Sequence, residues 1–244
     1  MTKIYEALEQ ADNERKYSGK LSVVSSPNDN EVKLSHTKIE PTMAGLHQNI
    51  ITLLSDKKSR IVQFISTADD EGTSVLVREF AKFCTLKLKR KVLLLDINPN
   101  ENGQADYFNV HYGKSLEKMD LDDLENLRSY HQIGKSSLYL AKMRVDCEFS
   151  HSHSESSLLE TIFKIFNKNF DFILIDSPSA TGCPDVLMLS SSVDGLLFIV
   201  EAEKYRWQVI EKAKQNILSQ GGNILGVILN KRRYPIPDFI YNKI

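Results

Sequence analysis

Residues 61–80, IVQFISTADDEGTSVLVREF, decide how this chain is read. Ile61–Ser66 is an apolar run of strand length, the residues after it are small and acidic, and Ser74–Lys87 carries apolar residues at helical spacing. Strand, tight turn and helix in that order form the frame of a phosphate-binding loop, G-x-x-x-x-G-K-[ST]. Laid on that frame, Thr67 stands at the first glycine, Gly72 at the second, Thr73 at the lysine and Ser74 at the metal-binding hydroxyl. The scaffold is present and the lysine is absent.

Outward from this stretch, short apolar runs alternate with helical patterns. Residues 3–16 form an amphipathic helix with Ile4, Tyr5, Leu8 and Ala11 on one face, and residues 17–41 are a polar, aperiodic stretch that reads as a flexible linker. A helix from Met43 to Leu54 follows Pro41, with Leu46, Ile50 and Leu53/Leu54 as its apolar face. Val92–Asp96 and Phe170–Asp176 lack polar alternation, so they read as strands buried on both faces, as in a parallel sheet. Ser137–Ala141, Gly195–Val200 and Ile224–Leu229 are further strands, while 156–168, Asp185–Ser192 and 206–219 read as helices, the last opening with Trp207 packed beside Tyr205. Between 97 and 135 the pattern is weak, with a short helix over Asp120–Ser129. Strands alternating with helices imply an α/β fold with a doubly wound, mainly parallel sheet. Ligands of such sheets bind at the carboxyl ends of the strands, where the loop at 67–73, Asp96 and Asp176 all fall.

Composition bounds the function. A chain of 244 residues suits one α/β domain with short appendages. Its 41% apolar and 26% charged residues are those of a soluble globular protein, and a net charge of −1 gives no general attraction to nucleic acid or anionic lipid. Cys84, Cys147 and Cys183 are scattered thiols without a CxxC pair, which fits a reducing compartment. With no apolar stretch of membrane-spanning length and no signal-peptide pattern, the expected location is cytoplasmic.

Three strand ends fall in an order that resembles a known family. STADDEGTS, VLLLDINPN and FDFILIDSPSA are similar to the Walker A, Walker A′ and Walker B segments of the bacterial tyrosine kinases. These are cytoplasmic P-loop ATPases, related to the MinD/ParA group, that work with polysaccharide co-polymerases in capsule and exopolysaccharide synthesis. The likeness continues through VDGLLFIVEAEKYRW and ILGVILNKRR, so it covers roughly residues 43–233, and MTKIYEALEQADNER resembles the N-terminus of exopolysaccharide-associated members. It implies a P-loop NTPase type of fold with an N-terminal helical arm. The expected division is an arm at 1–16, a linker at 17–41, the P-loop ATPase-like domain at 42–233 and an apolar tail at 234–244.

Carried over residue by residue, the match is uneven. Where the family loop reads like P-G-E-G-K-S, this chain has Asp69-Asp70-Glu71-Gly72-Thr73-Ser74, so Glu71, Gly72 and Ser74 match. The D-x-D of Walker A′ is Asp96-Ile97-Asn98, the Walker B acid is Asp176, and the Asn that lies near the nucleotide base in relatives is Asn230. Asn230 reads equally well as a turn residue before Lys231-Arg232-Arg233. The family's self-assembly motif E-x-x-R-x-x-R falls on Pro41, Ala44 and His47, and its C-terminal tyrosine cluster is reduced to Tyr234 and Tyr241.

The lost lysine and glycines remove what holds the β- and γ-phosphates. Asp69, Asp70 and Glu71 put acids there instead, and at ~5 Å with an effective dielectric of ~20 each costs on the order of 3 kcal/mol against a phosphate charge. Asp70 and Thr67 also restrict the positive-φ geometry that turns backbone amides toward a ligand. A plainer reading of the acids is that they complement the dipole of the following helix. If ATP and Mg²⁺ bind, the resemblance implies Glu71, Gly72, Thr73, Ser74 and Asn230 as nucleotide-binding positions, Ser74, Asp96 and Asp176 as metal positions, and Asp96 and Asp176 as the catalytic candidates.

The first reading is therefore a catalytically degenerate member of the family. It acts as a regulatory or binding subunit in exopolysaccharide or capsule biosynthesis or export, and enzymatic activity is not its expected role. Its expected partner is a polysaccharide co-polymerase, another membrane-complex protein or an active homologue, which would hold it peripherally at the inner face of the membrane without inserting. No nucleic-acid partner is expected. The alternative is an active ATP-dependent tyrosine autokinase controlling polysaccharide chain length. A MinD/ParA-like positioning ATPase comes third, because Ala68 stands where that group carries its signature lysine.

Overall fold

Along the central strands, consecutive side chains part to opposite faces, and both faces are apolar. In the computed structural model, which describes residues 32, 39–99, 103–112, 116, 130–143 and 153–231, β1 spans Arg60–Ser66 and is buried throughout after its first residue. Its Ile61 and Ile65 belong to one core cluster, and its Val62 and Phe64 to another on the far side of the sheet. The same split divides Leu93 and Leu95 from Val92 and Leu94 in β2 (Val92–Asp96), and Ile173 and Ile175 from Phe172 and Leu174 in β5 (Phe172–Asp176). A strand apolar on both faces needs cover on both, so this pattern forces a layer of helices on each side.

β3 (His131–Gln132), β4 (Leu138–Lys142), β6 (Gly195–Glu201) and β7 (Ile224–Asn230) complete a seven-stranded sheet in the order β3-β4-β2-β5-β1-β6-β7. All pairings are parallel except β3 with β4. One face carries α1 (Glu40–Leu53) and α2 (Thr73–Leu86) through Met43, Ile50, Val77, Phe80 and Phe83. The other carries α4 (His153–Asn169), a 3-10 helix at Pro184–Ser191 and α5 (Trp207–Ser219). A short α3, Gly103–Phe108, follows β2. The doubly wound, mainly parallel sheet expected from the sequence is the fold observed, and it is of the P-loop NTPase type.

Gln63 is the one polar residue within β1 that is wholly buried, and its amide is fully used. Its Nε2 donates to Ser177 Oγ at 3.1 Å and to the Val186 carbonyl at 3.3 Å, while its Oε1 accepts from Ser190 Oγ at 3.1 Å. These bonds pin the segment after β5 to β1, and so fix the carboxyl edge where the site lies.

Several expectations are corrected. Leu53 is 55% exposed and turns away from the core, whereas Leu54 is buried. Trp207 does not pack but stands 67% exposed at the start of α5. Cys84 is a free buried thiol, but Cys183 is disulfide-bonded, so the three cysteines are not three separate thiols. The helix expected over Asp185–Ser192 is present, as a 3-10 helix over Pro184–Ser191. The N-terminal helix, the helix over Asp120–Ser129 and the tail with Tyr234 and Tyr241 lie outside the described residues. Among the described residues no helix is long and apolar enough to cross a membrane.

Candidate functional site

β1 ends at Ser66, and the loop from Thr67 to Gly72 crosses the carboxyl edge of the sheet. Hydrogen bonds hold it there: the Ala180 amide donates to the Ser66 carbonyl at 2.9 Å, and Thr181 Oγ1 donates to the Thr67 carbonyl at 3.0 Å. The loop closes on Gly72, the residue before α2, at φ 87°. A Cβ at Gly72 would lie 2.5 Å from Asn230 Nδ2, so both the left-handed backbone and the close approach require glycine.

Two acids of the loop, Asp69 and Glu71, hydrogen-bond to groups other than the first-turn amides of α2. Glu71 is completely buried and turns back into its own loop. Its Oε2 accepts from the Thr67 amide at 2.8 Å and the Ala68 amide at 3.2 Å, and its Oε1 accepts from the Glu201 amide at 3.2 Å. Asp69 accepts from Ser179 Oγ at 2.6 Å. Among the described residues no side chain caps α2. Asp70 takes φ 63° despite its side chain, so the expected restriction on positive φ is overcome there. The Lys231 ammonium donates to the Asp70 carbonyl and pairs with Glu201 at 3.2 Å, holding the turn from the end of β7. Thr67 is not among the positive-φ residues described, so the lost first glycine imposes no such strain.

Asn230, at the end of β7, does reach the loop. Its Nδ2 donates to the Glu71 carbonyl at 2.7 Å, which commits it to the loop backbone. Thr73, at the lysine position, is buried, and its hydroxyl has no hydrogen-bond partner among the described residues. The same is true of the Thr67 hydroxyl.

The two strand-end aspartates meet as the register dictates, Asp96 beside Asp176 on adjacent parallel strands. Ser74 Oγ donates to Asp176 Oδ1 at 3.1 Å, so the first turn of α2 joins the pair. The other Asp176 oxygen accepts from Gln104 Nε2 at 2.6 Å, and the same nitrogen donates to the Ser74 carbonyl at 2.9 Å. Asp96 Oδ1 accepts from the Asn98 amide at 3.0 Å and lies 3.3 Å from the Lys142 ammonium, while Oδ2 accepts from the Tyr112 hydroxyl at 2.9 Å. Lys142 also donates to the Asn98 carbonyl at 2.5 Å.

Burial pushes the Asp176 carboxyl up to about 7, with the Asp96 charge acting in the same direction against the Gln104 and Ser74 hydrogen bonds. Asp96 is also raised by burial, a rise that Lys142 opposes. Arg78 lies one turn beyond Ser74 on α2, with its guanidinium 3.8 Å above the Tyr107 ring and one nitrogen 3.2 Å from Gln104 Oε1. Burial lowers its pKa from the usual arginine value.

Ser74, Asp96 and Asp176 are the oxygen donors a hard divalent cation takes. Among the described residues no group of three or more His, Cys, Asp or Glu is placed to hold a metal. Each carboxylate oxygen of Asp96 and Asp176 already takes a donor from the protein, and the Lys142 ammonium already lies beside Asp96. On the phosphate side, the amides of Thr67 and Ala68 hold a carboxylate. As folded, these carboxylate oxygens and loop amides are engaged with the protein's own groups.

Sequence reasoning missed Gln104, Arg78, Lys142, Tyr112 and Lys231. One had a signal: Arg78 is four residues beyond Ser74 on the same helix. Lys142 is the register partner of Asp96 across β4 and β2, which the sequence does not encode. Gln104 and Tyr112 had none, because they follow β2 in a stretch without periodicity.

No protein-family model matches the chain. The Staphylococcus aureus protein named tyrosine-protein kinase CapB is 34% identical over 200 residues, which cover 80% of this chain and 87% of that protein. Among solved structures, the chimerical protein CapA2B2 superposes with a TM-score of 0.67 over 91% of this chain and 99% of its own, at 19% identity. The kinase domain of the Escherichia coli tyrosine kinase ETK gives 0.64 over 81% and 78%, at 17% identity. These two structures speak to the fold, and CapB carries the lineage. By that relationship the chain belongs to the family of bacterial tyrosine-protein kinases that includes CapB.

Proposed function

We propose that the chain is a catalytically degenerate member of this family, working as a regulatory or binding subunit in capsule or exopolysaccharide biosynthesis or export. The observation that carries this reading is Thr73: a neutral, buried hydroxyl without a partner among the described residues stands where the phosphate-binding charge belongs. Asp69 and Asp70, exposed beside it, add repulsion toward an incoming phosphate. The function then lies in occupying a protein interface. The likeness to the chimerical protein CapA2B2 supports a partner of the CapA kind, a polysaccharide co-polymerase, which would place the chain at the inner face of the membrane. Residues 1–16, linked through 17–41 to the domain at 42–233, and the apolar tail 234–244 are the proposed contact elements. If deleting both ends left partner binding intact, the contact assignment would fail.

A second reading, an active tyrosine autokinase, is favoured by one observation. Ser74 still bonds Asp176, and Asp176 still stands beside Asp96, so the metal-directed side of the site keeps its residue types. Calorimetric titration with ATP and ADP in the presence of Mg²⁺ separates the two. No binding up to millimolar nucleotide is expected, with an unmodified intact mass after incubation with ATP and Mg²⁺. Micromolar binding, with phosphotyrosine that disappears in Asp176→Ala, would establish the autokinase instead.

A further inference from the structure

We infer that the amino edge of the sheet docks on an anionic phospholipid bilayer, with the carboxyl edge and its candidate site turned away from the membrane. The inference rests on the proposed placement at the inner face of the membrane and adds the face that meets it. The net charge of −1 averages two unlike edges. Parallel strands bring their first residues to one side. The connections entering β4, β2, β5 and β1, neighbours in the sheet, therefore share an edge about 14 Å wide at ~4.8 Å per strand. Lys135, Lys89, Arg90, Lys168 and Lys58 stand exposed along it, and none has an ion pair among the described residues. The acids of this edge are mostly committed. Asp171 accepts from the Lys91 amide at 2.8 Å, while Asp194 accepts from the Ile61 amide at 2.8 Å and pairs with Lys57 at 3.2 Å. Asp56 is the exposed acid left over among the described residues.

The helix dipole accounts for Lys168 in the last turn of α4, but Lys58, Lys89, Arg90 and Lys135 lie outside the helices. Lys58, Lys91 and Lys168 line one pocket of about 240 Å³, beside Phe170 and Asp171. The Ser59 hydroxyl on its wall is buried without a partner among the described residues, a donor whose missing acceptor a headgroup phosphate supplies. The positive field also reaches inward: burial lowers the pKa of His47 on α1, and the charges of Arg90 and Arg60 lower it further. The carboxyl edge differs. Asp69, Asp70 and Glu203 are exposed there, Lys204 and Lys231 are paired with Glu201, and Arg206 is the unpaired cation. A negative surface therefore attracts one edge and repels the other. Nucleic acid fits less well, because the exposed aromatic among the described residues, Trp207, starts α5 at the other edge. No base-stacking platform adjoins the cations.

The test is sedimentation of the full chain with vesicles of phosphatidylcholine alone, and of phosphatidylcholine and phosphatidylglycerol in equal parts, at ~0.1 M salt. The wild type is expected to sediment with the anionic vesicles only, and to be released as salt rises to ~0.5 M. Each lysine or arginine beside an anionic leaflet is worth about fivefold in partitioning. The combined variant Lys58→Gln, Arg90→Gln and Lys135→Gln is therefore expected to partition on the order of 100-fold more weakly. These side chains are exposed and unpaired among the described residues, so the variant keeps its fold, which a cooperative urea transition checks. No sedimentation with anionic vesicles overturns the inference. So does a folded variant that partitions like the wild type, since the binding then belongs to another part of the chain. Double-stranded DNA that binds more tightly and competes with the vesicles would make the edge a nucleic-acid surface and overturns it too. The vesicles carry no protein partner, so failure here leaves the partner-held, degenerate reading intact. Nucleotide binding in calorimetry overturns that reading and leaves vesicle binding untouched.

Discussion

Asp176 gives the chain a pH dependence opposite in sign to that of a salt-bridged acid. Its side chain is 2% exposed, and its neighbour across the strand pair is a second carboxylate, Asp96. Gln104 and Ser74 supply neutral donors, which offset part of the desolvation and no more. The carboxyl is therefore pushed from its ordinary 3.8 up to about 7 in the folded chain. An acid whose folded pKa is raised holds its proton in the native state after the unfolded chain has released it. Stability is highest below the unfolded value, falls as pH rises from about 4 to about 7, and levels off above. At about 1.4 kcal/mol per pKa unit, the full fall is on the order of 4 kcal/mol. The assay is urea unfolding at intervals between these limits, with chelator present, for the wild type and Asp176→Asn. Asp176→Asn keeps the shape without the titration, so its profile is expected to lose most of the slope. Wild-type stability that is flat or rises through this window, or an Asp176→Asn profile as steep as the wild type, would refute the argument.

Lys142→Met should destabilise the fold by about 3 kcal/mol, because Asp96 is 1% exposed and loses its cation. Adding Asp96→Asn should recover much of that loss, and a coupling in urea midpoints below about 0.5 kcal/mol would count against the pair. Gly72→Ala combines φ 87° with a Cβ 2.5 Å from Asn230 Nδ2, so a loss of about 1–3 kcal/mol in thermal unfolding is expected. An unchanged melting temperature would mean that the loop is free to move away from Asn230.

The strands and their order of burial were legible in the sequence because their apolar runs are continuous. Val92–Asp96 was read with its bounds unchanged, and Ile61–Ser66 is extended in the structure only by Arg60. The two aspartates were legible as site residues for the same reason, since each ends a run that has to be a central strand. Gln104 and Tyr112 were not, because a six-residue helix and a loop residue have no periodicity and are placed only by the acids they bond. Glu71 was legible as a charge and was misplaced in direction. On paper an acid beside a helix N-terminus faces the helix dipole, whereas here three amides from two separate elements turn it inward.

The sequence by itself determined that strands apolar on both faces alternate with helices, and this demands helical layers on both sides of a parallel sheet. It also determined that threonine stands at the lysine position of the loop. Only the tertiary structure decided what occupies the places left open. Lys142 arrives beside Asp96 because β4 pairs with β2 in register, and Glu71 reaches the Glu201 amide because β6 lies against β1. Both are contacts between residues far apart in the chain. Their distances are set by strand pairing, which local spacing does not encode.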